Sequence, residues 1–202
     1  MTYPGNGVGE SERGAKLPEN SAAELVVLLD DDLERCGVAD KWAVHTSETP
    51  LHLAFSCYIR DNSGRFLMTR RALSKKTWPG VWTNSCCGHP DPEETMEDAV
   101  RRRVGEELGL KIERVETALP DFRYRAVSPE GIVENEFCPV FWAVAVDDPD
   151  PDPAEVAEFA WVEWDDLARL ATRTPRLISP WAAMQIPLLD PQRETDTGGA
   201  RG

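Results

Sequence analysis

Several things are missing from this sequence, and each absence removes a class of protein. No run of 18 apolar residues occurs, so no segment is long enough to span a bilayer as a helix. The first residues, Met-Thr-Tyr-Pro-Gly-Asn-Gly, have neither a basic start nor an apolar stretch and do not read as a secretory signal. Cys-x-x-Cys pairs of the zinc-binding kind are absent. The five cysteines are odd in number and irregularly spaced, with Cys86 and Cys87 adjacent, which speaks for a reducing, cytoplasmic setting. Positive charge is scarce: 22 Lys and Arg face 36 Asp and Glu, a net charge of -14. That balance argues against nucleic acid or an anionic membrane as the main partner. There is no internal repeat, and the chain has only three histidines.

The few basic residues are clustered. Arg70, Arg71, Lys75 and Lys76 form one group, Arg101 to Arg103 a second, and Arg123 with Arg125 a third. A positive pocket in an acidic protein suits a small anion such as a phosphate ester; a solvated basic face is the plainer alternative. At 202 residues with 41% hydrophobic content, the chain reads as one domain over 21–190. Residues 1–20, rich in Gly, Pro, Glu and Ser, read as disordered, and 191–202 as a flexible tail.

Between them the pattern predicts a mixed sheet sandwiched between helices, in the α/β (α+β) class. Strands are expected over 24–29, 51–60, 65–71, 112–118, 122–127, 132–146 and 159–164. Asn62-Ser63-Gly64 closes a hairpin. A helix is expected after the cysteines, with Asp91 as N-cap, Pro92 at its first position and Glu94 as the capping acid. Its stripe is Met96, Ala99, Val100, Val104 and Leu108, and Gly109 ends it. Shorter helices are expected over 41–44, 165–171 and 179–189. Trp78 and Trp82, in a loop rich in turn formers, are expected to wall something in.

Three constellations carry chemistry. His45, His52, His89, Glu134 and Glu136 include every histidine of the chain. The two glutamates share one face of a strand. Paired inward carboxylates are costly unless they hold a metal or share a proton, and this donor set suits Zn, Mn or Mg-like ions; exposed, unrelated side chains are the alternative. Cys87 lies ahead of the predicted helix, whose positive end is expected to lower its thiol pKa and make it a nucleophile or proton donor; an inert buried thiol is the commoner case. Arg103 and Glu107, four apart, could grip a phosphate and a divalent cation, or form an ordinary helix ion pair.

These stretches resemble the type 1 isopentenyl-diphosphate Δ-isomerases, on a Nudix-type fold. The match runs through His45–Phe55, Thr69–Pro90, Asp121-Phe-Arg-Tyr-Arg-Ala126, Gly131–Phe141 and Ser179-Pro-Trp181. The Nudix box, G-x5-E-x7-R-E-U-x-E-E-x-G-U, is present in altered form as Gly88, Glu94, Arg102, Arg103, Val104, Glu106, Glu107, Gly109 and Leu110. Arg103 stands where the hydrolases carry a metal-holding glutamate, a change that suits gripping a diphosphate over cleaving it.

The resemblance implies an enzyme that converts isopentenyl diphosphate to dimethylallyl diphosphate. It implies Cys87 and Glu136 as the acid–base pair, Tyr124 as their assistant and Trp181 as an aromatic wall. Lys41, Arg71, Lys75 and Arg103 would contact phosphate. His45, His52, His89, Glu134 and Glu136 would ligate one divalent ion (Mn²⁺, Zn²⁺ or Mg²⁺). Glu107, with the Cys87 carbonyl, would hold a substrate-bound Mg²⁺. Cys86 receives no role. The expected partner is a small-molecule diphosphate, with no nucleic acid and no membrane, in a monomer or weak homodimer. The rival readings are a Nudix pyrophosphohydrolase and a non-catalytic metal- or anion-binding module.

Overall fold

The computed structural model describes residues 24–189. Residues 1–20, expected to be disordered, and 191–202, expected to be a flexible tail, lie outside the described residues.

The described residues open with a hairpin of β1 (Leu25–Leu29) and β2 (Arg35–Asp40), turned through Asp30, whose side chain accepts from the Asp32 and Glu34 amides. The second strand of this hairpin is not among the predicted elements, because its residues are mostly exposed and carry no apolar alternation. Asp40 then caps the one-turn helix α1 (Lys41–Val44), accepting from the Trp42 and Ala43 amides.

Two expected strands turn out to be four. The stretch 51–60 divides into β3 (His52–Leu53) and β4 (Phe55–Arg60). Later in the chain, 132–146 divides into β10 (Val133–Phe137) and β11 (Val140–Ala145). Between these lie β5 (Phe66–Arg71), β6 (Trp82–Thr83), β7 (Cys86–Gly88), helix α2 (Met96–Leu108), β8 (Ile112–Leu119) and β9 (Arg123–Val127). β12 (Val156–Val162), helix α3 (Trp164–Arg173) and helix α4 (Pro180–Gln185) complete the order.

The mixed sheet is therefore in two pieces. The smaller runs β2-β1-β3-β10-β9; the larger runs β12-β5-β4-β11-β8, with β6 beside β5 and β7 beside β4. β3 and β10 pair in parallel in the first sheet, and β4 and β11 pair in parallel in the second. Two neighbouring chains thus step together from one sheet to the other. Pro139 cannot donate to a ladder, which ends β10 there. The Ala54 amide still bonds Phe137 O at 2.9 Å and the Ser56 amide bonds Pro139 O at 3.1 Å, so the two chains remain stitched through the step.

Strand alternation sorts the core. Phe55, Cys57, Ile59, Phe141 and Ala143 face α2, meeting Ala99, Val100, Val104 and Leu108. Tyr58, Phe66, Met68 and Trp142 face α3 and α4, meeting Leu167, Ala171, Ala182 and Ile186. Val100, Val104 and Leu108 are fully buried, and each such side chain stabilises the fold by about 1.5–3 kcal/mol.

Helix α2 begins later than expected. Its N-cap is Thr95, which accepts from the Asp98 amide and donates to the Asp98 carboxylate at 2.7 Å. Thr95 and Asp98 thus bond reciprocally at the helix start, and this cap outcompetes Asp91. Glu94 instead closes a turn, accepting from the Asp91 amide at 3.0 Å. Gly109 ends the helix as expected, at φ 58°, with Asp150 O where a Cβ would stand. Helix α3 starts at Trp164, one residue before the expected Asp165, with no side-chain cap. Helix α4 follows the cap of Ser179 on the Ala182 amide.

Candidate active site

The strand registers assemble the site. Glu136 lies opposite His52 on one side and opposite Tyr124 on the other. Directly opposed residues share a face of a sheet, so His52, Glu136 and Tyr124 form one row, and Glu134, two residues along, joins it. In the larger sheet Cys87 lies opposite Ser56. The step between the sheets places these two rows around one pocket of about 120 Å³.

Of the residues singled out from sequence, Cys87, Glu136, Tyr124, Trp181, Lys41, Arg71, Lys75, Arg103, Glu107 and His89 all line this pocket. The other three touch them or one another. His52 Nε2 is 3.6 Å from Glu136 Oε1, and His45 Nε2 is 3.1 Å from Glu134 Oε2. His45 and His52 meet edge to face, their ring centroids 5.1 Å apart.

The histidine–glutamate cluster fits a cation. The donor atoms of His45, His52, His89 and Glu136 lie within 4.8 Å of one another. His45 Nδ1 is bonded to Lys41 O at 2.9 Å and His52 Nδ1 to Pro50 O at 3.0 Å. A carbonyl only accepts, so each Nδ1 carries a hydrogen and each ring turns its Nε2 inward, the orientation that metal-ligating imidazoles adopt. His52 Nε2, both ring nitrogens of His89 and Glu134 Oε2 are buried without a hydrogen-bond partner. Glu134 is further fixed by Thr77 Oγ1, which donates to its Oε1 at 3.0 Å. Lone pairs facing one another in a buried space are unfavourable until a cation sits among them. Burial drives the His89 pKa down to about 4, so that ring is uncharged near neutrality, with one nitrogen still protonated and the other free to ligate. Burial pushes Glu136 up, but His52 and His89 outweigh it and hold its carboxyl well below the usual range.

At the other end of the pocket the charges are matched. Lys41 pairs with Glu24, Lys75 with Glu155, and Arg103 with Glu107 and Glu106. Arg71 donates to Thr77 O at 2.9 Å and lies 5.5 Å above the Trp181 ring. The stem of Arg103 passes over Gly88, where an added Cβ would come within 2.9 Å of Arg103 Cγ and 3.0 Å of Phe55 Cζ. Burial raises the Glu107 carboxyl above its usual value even with the Arg103 guanidinium beside it.

Cys87 is not where the expected helix effect could reach it. It lies within β7, well before the Thr95 cap, so no helix end lowers its pKa. Burial instead raises the thiol to about 12, and the Glu136 carboxylate adds to the rise. The side chain therefore rests as a neutral S–H. Tyr124 is likewise pushed well above its usual value, first by burial and then by Glu136. Neither Trp78 nor Trp82, expected to wall something in, lines the pocket itself: Trp78, at φ 45° and 7% exposed, backs its wall by meeting Trp181 edge to face with centroids 5.4 Å apart, and Trp82 lies opposite Arg70 in β6. Cys86 is buried, with Sγ 3.7 Å from Glu107 Oε2.

Three site residues were missed from sequence. Asn84 joins Cys87 to Trp181, Ser56 contacts Cys87 Sγ at 3.4 Å, and Glu155 faces Lys75 and Arg103. Asn84 and Ser56 carried a signal, as short polar residues inside stretches otherwise built to be buried. Glu155 carried none, since it follows the proline-rich acidic loop.

Comparison with known proteins agrees with this architecture. A NUDIX domain profile matches residues 50–182. The crystal structure of DR0079 from Deinococcus radiodurans superposes with a TM-score of 0.59 at 21% identity, covering 81% of this chain and 98% of that one. The MutT protein from Methanosarcina mazei Go1 gives a TM-score of 0.53 at 20% identity, covering 73% of this chain and 96% of that one. The fold and its site thus define a member of the Nudix family.

Closer relatives narrow this. The isopentenyl-diphosphate Delta-isomerase of Clavibacter michiganensis is 57% identical over 182 residues, which is 90% of this chain and 93% of the relative. That of Mycolicibacterium vanbaalenii is 58% identical over 174 residues, or 86% and 96%. The chain belongs to the isopentenyl-diphosphate Delta-isomerases of the Nudix family. Among the described residues no helix is long and apolar enough to cross a membrane.

Proposed function

We propose that this enzyme converts isopentenyl diphosphate to dimethylallyl diphosphate with Cys87 and Glu136 as its acid–base pair. The observation that carries the reading is that both groups line one narrow pocket walled by Tyr124 and Trp181 and edged by Lys41, Arg71, Lys75 and Arg103. Moving the double bond requires a proton added at C4, which leaves a tertiary cation at C3, and a proton removed from C2. One group delivers, the other accepts, and the atoms balance without a further reactant. In the resting site the pair's single proton sits on sulfur, because the thiol is held neutral and the carboxylate ionised. By microscopic reversibility the reverse reaction uses the two groups in exchanged roles.

The walls serve the cation. Trp181 is 3% exposed and Tyr124 6%, so the space between them offers it little water. A tryptophan face stabilises a desolvated cation by up to about 2 kcal/mol. Lys41, Arg71, Lys75 and Arg103 would hold the diphosphate and so fix the reacting end.

The donor set of His45, His52, His89, Glu134 and Glu136, three imidazoles and two carboxylates, favours a transition ion such as Mn²⁺ or Zn²⁺ over Mg²⁺. A cation held there would keep Glu136 ionised and oriented. Glu107 and the Cys87 carbonyl would hold the Mg²⁺ that accompanies the diphosphate. Arg103 supports isomerisation over hydrolysis, since it places a guanidinium beside Glu106 and Glu107 where the Nudix box would add a carboxylate.

Proton NMR of isopentenyl diphosphate with the protein and Mg²⁺ in D₂O tests this. Dimethylallyl diphosphate with deuterium in its methyl group and at C2 is the expected product. Released phosphate without exchange would replace the reading with hydrolysis.

A further inference from the structure

We propose that Asn84 is the positioning residue that fixes Cys87 and Trp181 relative to each other through one atom, its amide oxygen. The proposal rests on the reading of Cys87 as half of the acid–base pair.

Asn84 lies between β6 and β7 and is 2% exposed. Its Nδ2 donates to Cys57 O at 3.1 Å and to Cys86 O at 2.8 Å. Both partners are backbone carbonyls, which only accept, so both amide hydrogens are committed and the amide can sit only one way round. Oδ1 therefore turns toward the pocket-lining side chains of Cys87 and Trp181. It accepts from Trp181 Nε1 at 2.9 Å, from Thr83 Oγ1 at 2.8 Å and from Cys87 Sγ at 3.2 Å. The indole N–H is a donor only, and it has this oxygen as its partner.

Three donors converge on an atom with two lone pairs. The thiol is the weakest of the three. It is therefore the one most easily released, while the indole and the threonine hydroxyl stay bound. Across the sulfur, Ser56 Oγ stands 3.4 Å away and itself accepts from Gln185 Nε2 at 2.9 Å. The sulfur thus rests between a hydroxyl and an amide oxygen, aimed by both. Asn84 anchors the ring that faces the cation and the thiol that exchanges the proton, so the distance between them is set by one rigid group bonded to two strands. A small misplacement of either group costs rate more than affinity, because the diphosphate is gripped elsewhere.

Kinetics on isopentenyl diphosphate tests the assignment. Asn84→Ala is expected to lower kcat on the order of 100-fold with KM within about threefold of the parent. Trp181→Phe keeps the ring, removes the N–H and is expected to lower kcat about tenfold. The double variant should fall no more than about threefold below Asn84→Ala, because the two changes remove the same hydrogen bond. Effects that multiply, a loss confined to KM, or a folded Asn84→Ala variant with near-parental kcat would overturn the proposal.

A second measurement leaves Asn84 in place, in case its variant does not fold. In ¹⁵N-labelled protein, Cys87→Ala should shift the Trp181 indole N–H resonance, assigned through Trp181→Phe, as the oxygen loses a competing donor. Cys36→Ala, at an exposed site, should not. An unmoved indole signal in Cys87→Ala would sink the coupling. If Cys87→Ala retains turnover, the acid–base reading itself fails. If Cys87 is needed and Asn84 is not, only this proposal falls.

Discussion

The two ends of the pocket are built on opposite terms. At the cationic end each long side chain already has a partner: Lys41 has Glu24, Lys75 has Glu155, Arg103 has Glu107, and Arg71 has the Thr77 carbonyl. At the histidine end, buried nitrogens of His52 and His89 and an oxygen of Glu134 have none. Under the proposed function, the first end would exchange a carboxylate for a phosphate and the second would gather its donors around a cation. An arrangement of that kind would hold its metal and trade its substrate. The carboxylates also restrict the flexible lysine and arginine stems beforehand, which lowers the ordering cost when an anion binds.

Glu136 belongs to the histidine end and, in the proposed mechanism, to the chemistry, so changing it should have the largest effect. Glu136→Gln, and likewise Cys87→Ala, is expected to lower kcat by about 10²–10⁴-fold while circular dichroism stays that of the parent. Turnover within tenfold of the parent would separate these residues from proton transfer.

Next is metal removal. A strong chelator should lower Tm by about 5–10 °C if the ion is present near a hundredfold over its dissociation constant. Glu107→Gln should show the same drop, since Glu107 lies outside the cluster. A drop that vanishes in Glu107→Gln would place the structural ion at the wrong end.

The exchange at the cationic end is a gentler matter. Glu155→Gln removes the carboxylate facing Lys75 and Arg103 and is expected to lower KM for the diphosphate about threefold, the scale of a partly exposed ion pair. A raised KM would show that Glu155 holds Lys75 in place more than it competes with phosphate.

The smallest effect lies outside the pocket, at Glu94. Arg102 bonds both its carboxylate oxygens and holds its pKa below the usual 4.5. The folded state therefore releases that proton more readily than the unfolded state. The stabilisation is full above pH 4.5 and is lost as pH falls through the lowered value. Glu94→Gln should cost less than about 1 kcal/mol at neutral pH in urea unfolding, and the gap should close in acid.

Much of this was legible beforehand, in uneven ways. Some residues revealed themselves by type: no histidine of this chain lies outside the cluster, and Cys87 reaches the pocket, whereas Tyr124 and Trp181, which also reach it, were implied by the family resemblance alone. The apolar stripe of α2 and the glycine that ends it followed from helical period. What periodicity could not show was the division of 51–60 and 132–146. Apolar residues run straight through both steps, and Pro139 was the one local sign. The thiol's pKa runs opposite to the sequence expectation for a related cause. A helix end was placed beside Cys87 because Asp91-Pro92 looks like a start, whereas Thr95 and Asp98 make the better cap. Asn84 was hidden because an amide reveals its role only through partners distant in sequence.

The paired step of β3–β4 and β10–β11 has a consequence for how the molecule comes into being. Parallel pairing of segments this far apart in sequence is slow, because a long loop must close before any contact rewards it. The cysteine row belongs to one sheet and the glutamate row to the other, so neither half can make a pocket alone. A nascent or partly folded chain, even with its helices formed, would offer neither the histidine–glutamate cluster nor the pocket. Assembly of the site and completion of folding are then one event, and under the proposed function an ion taken up by the cluster would mark the chains that have reached it.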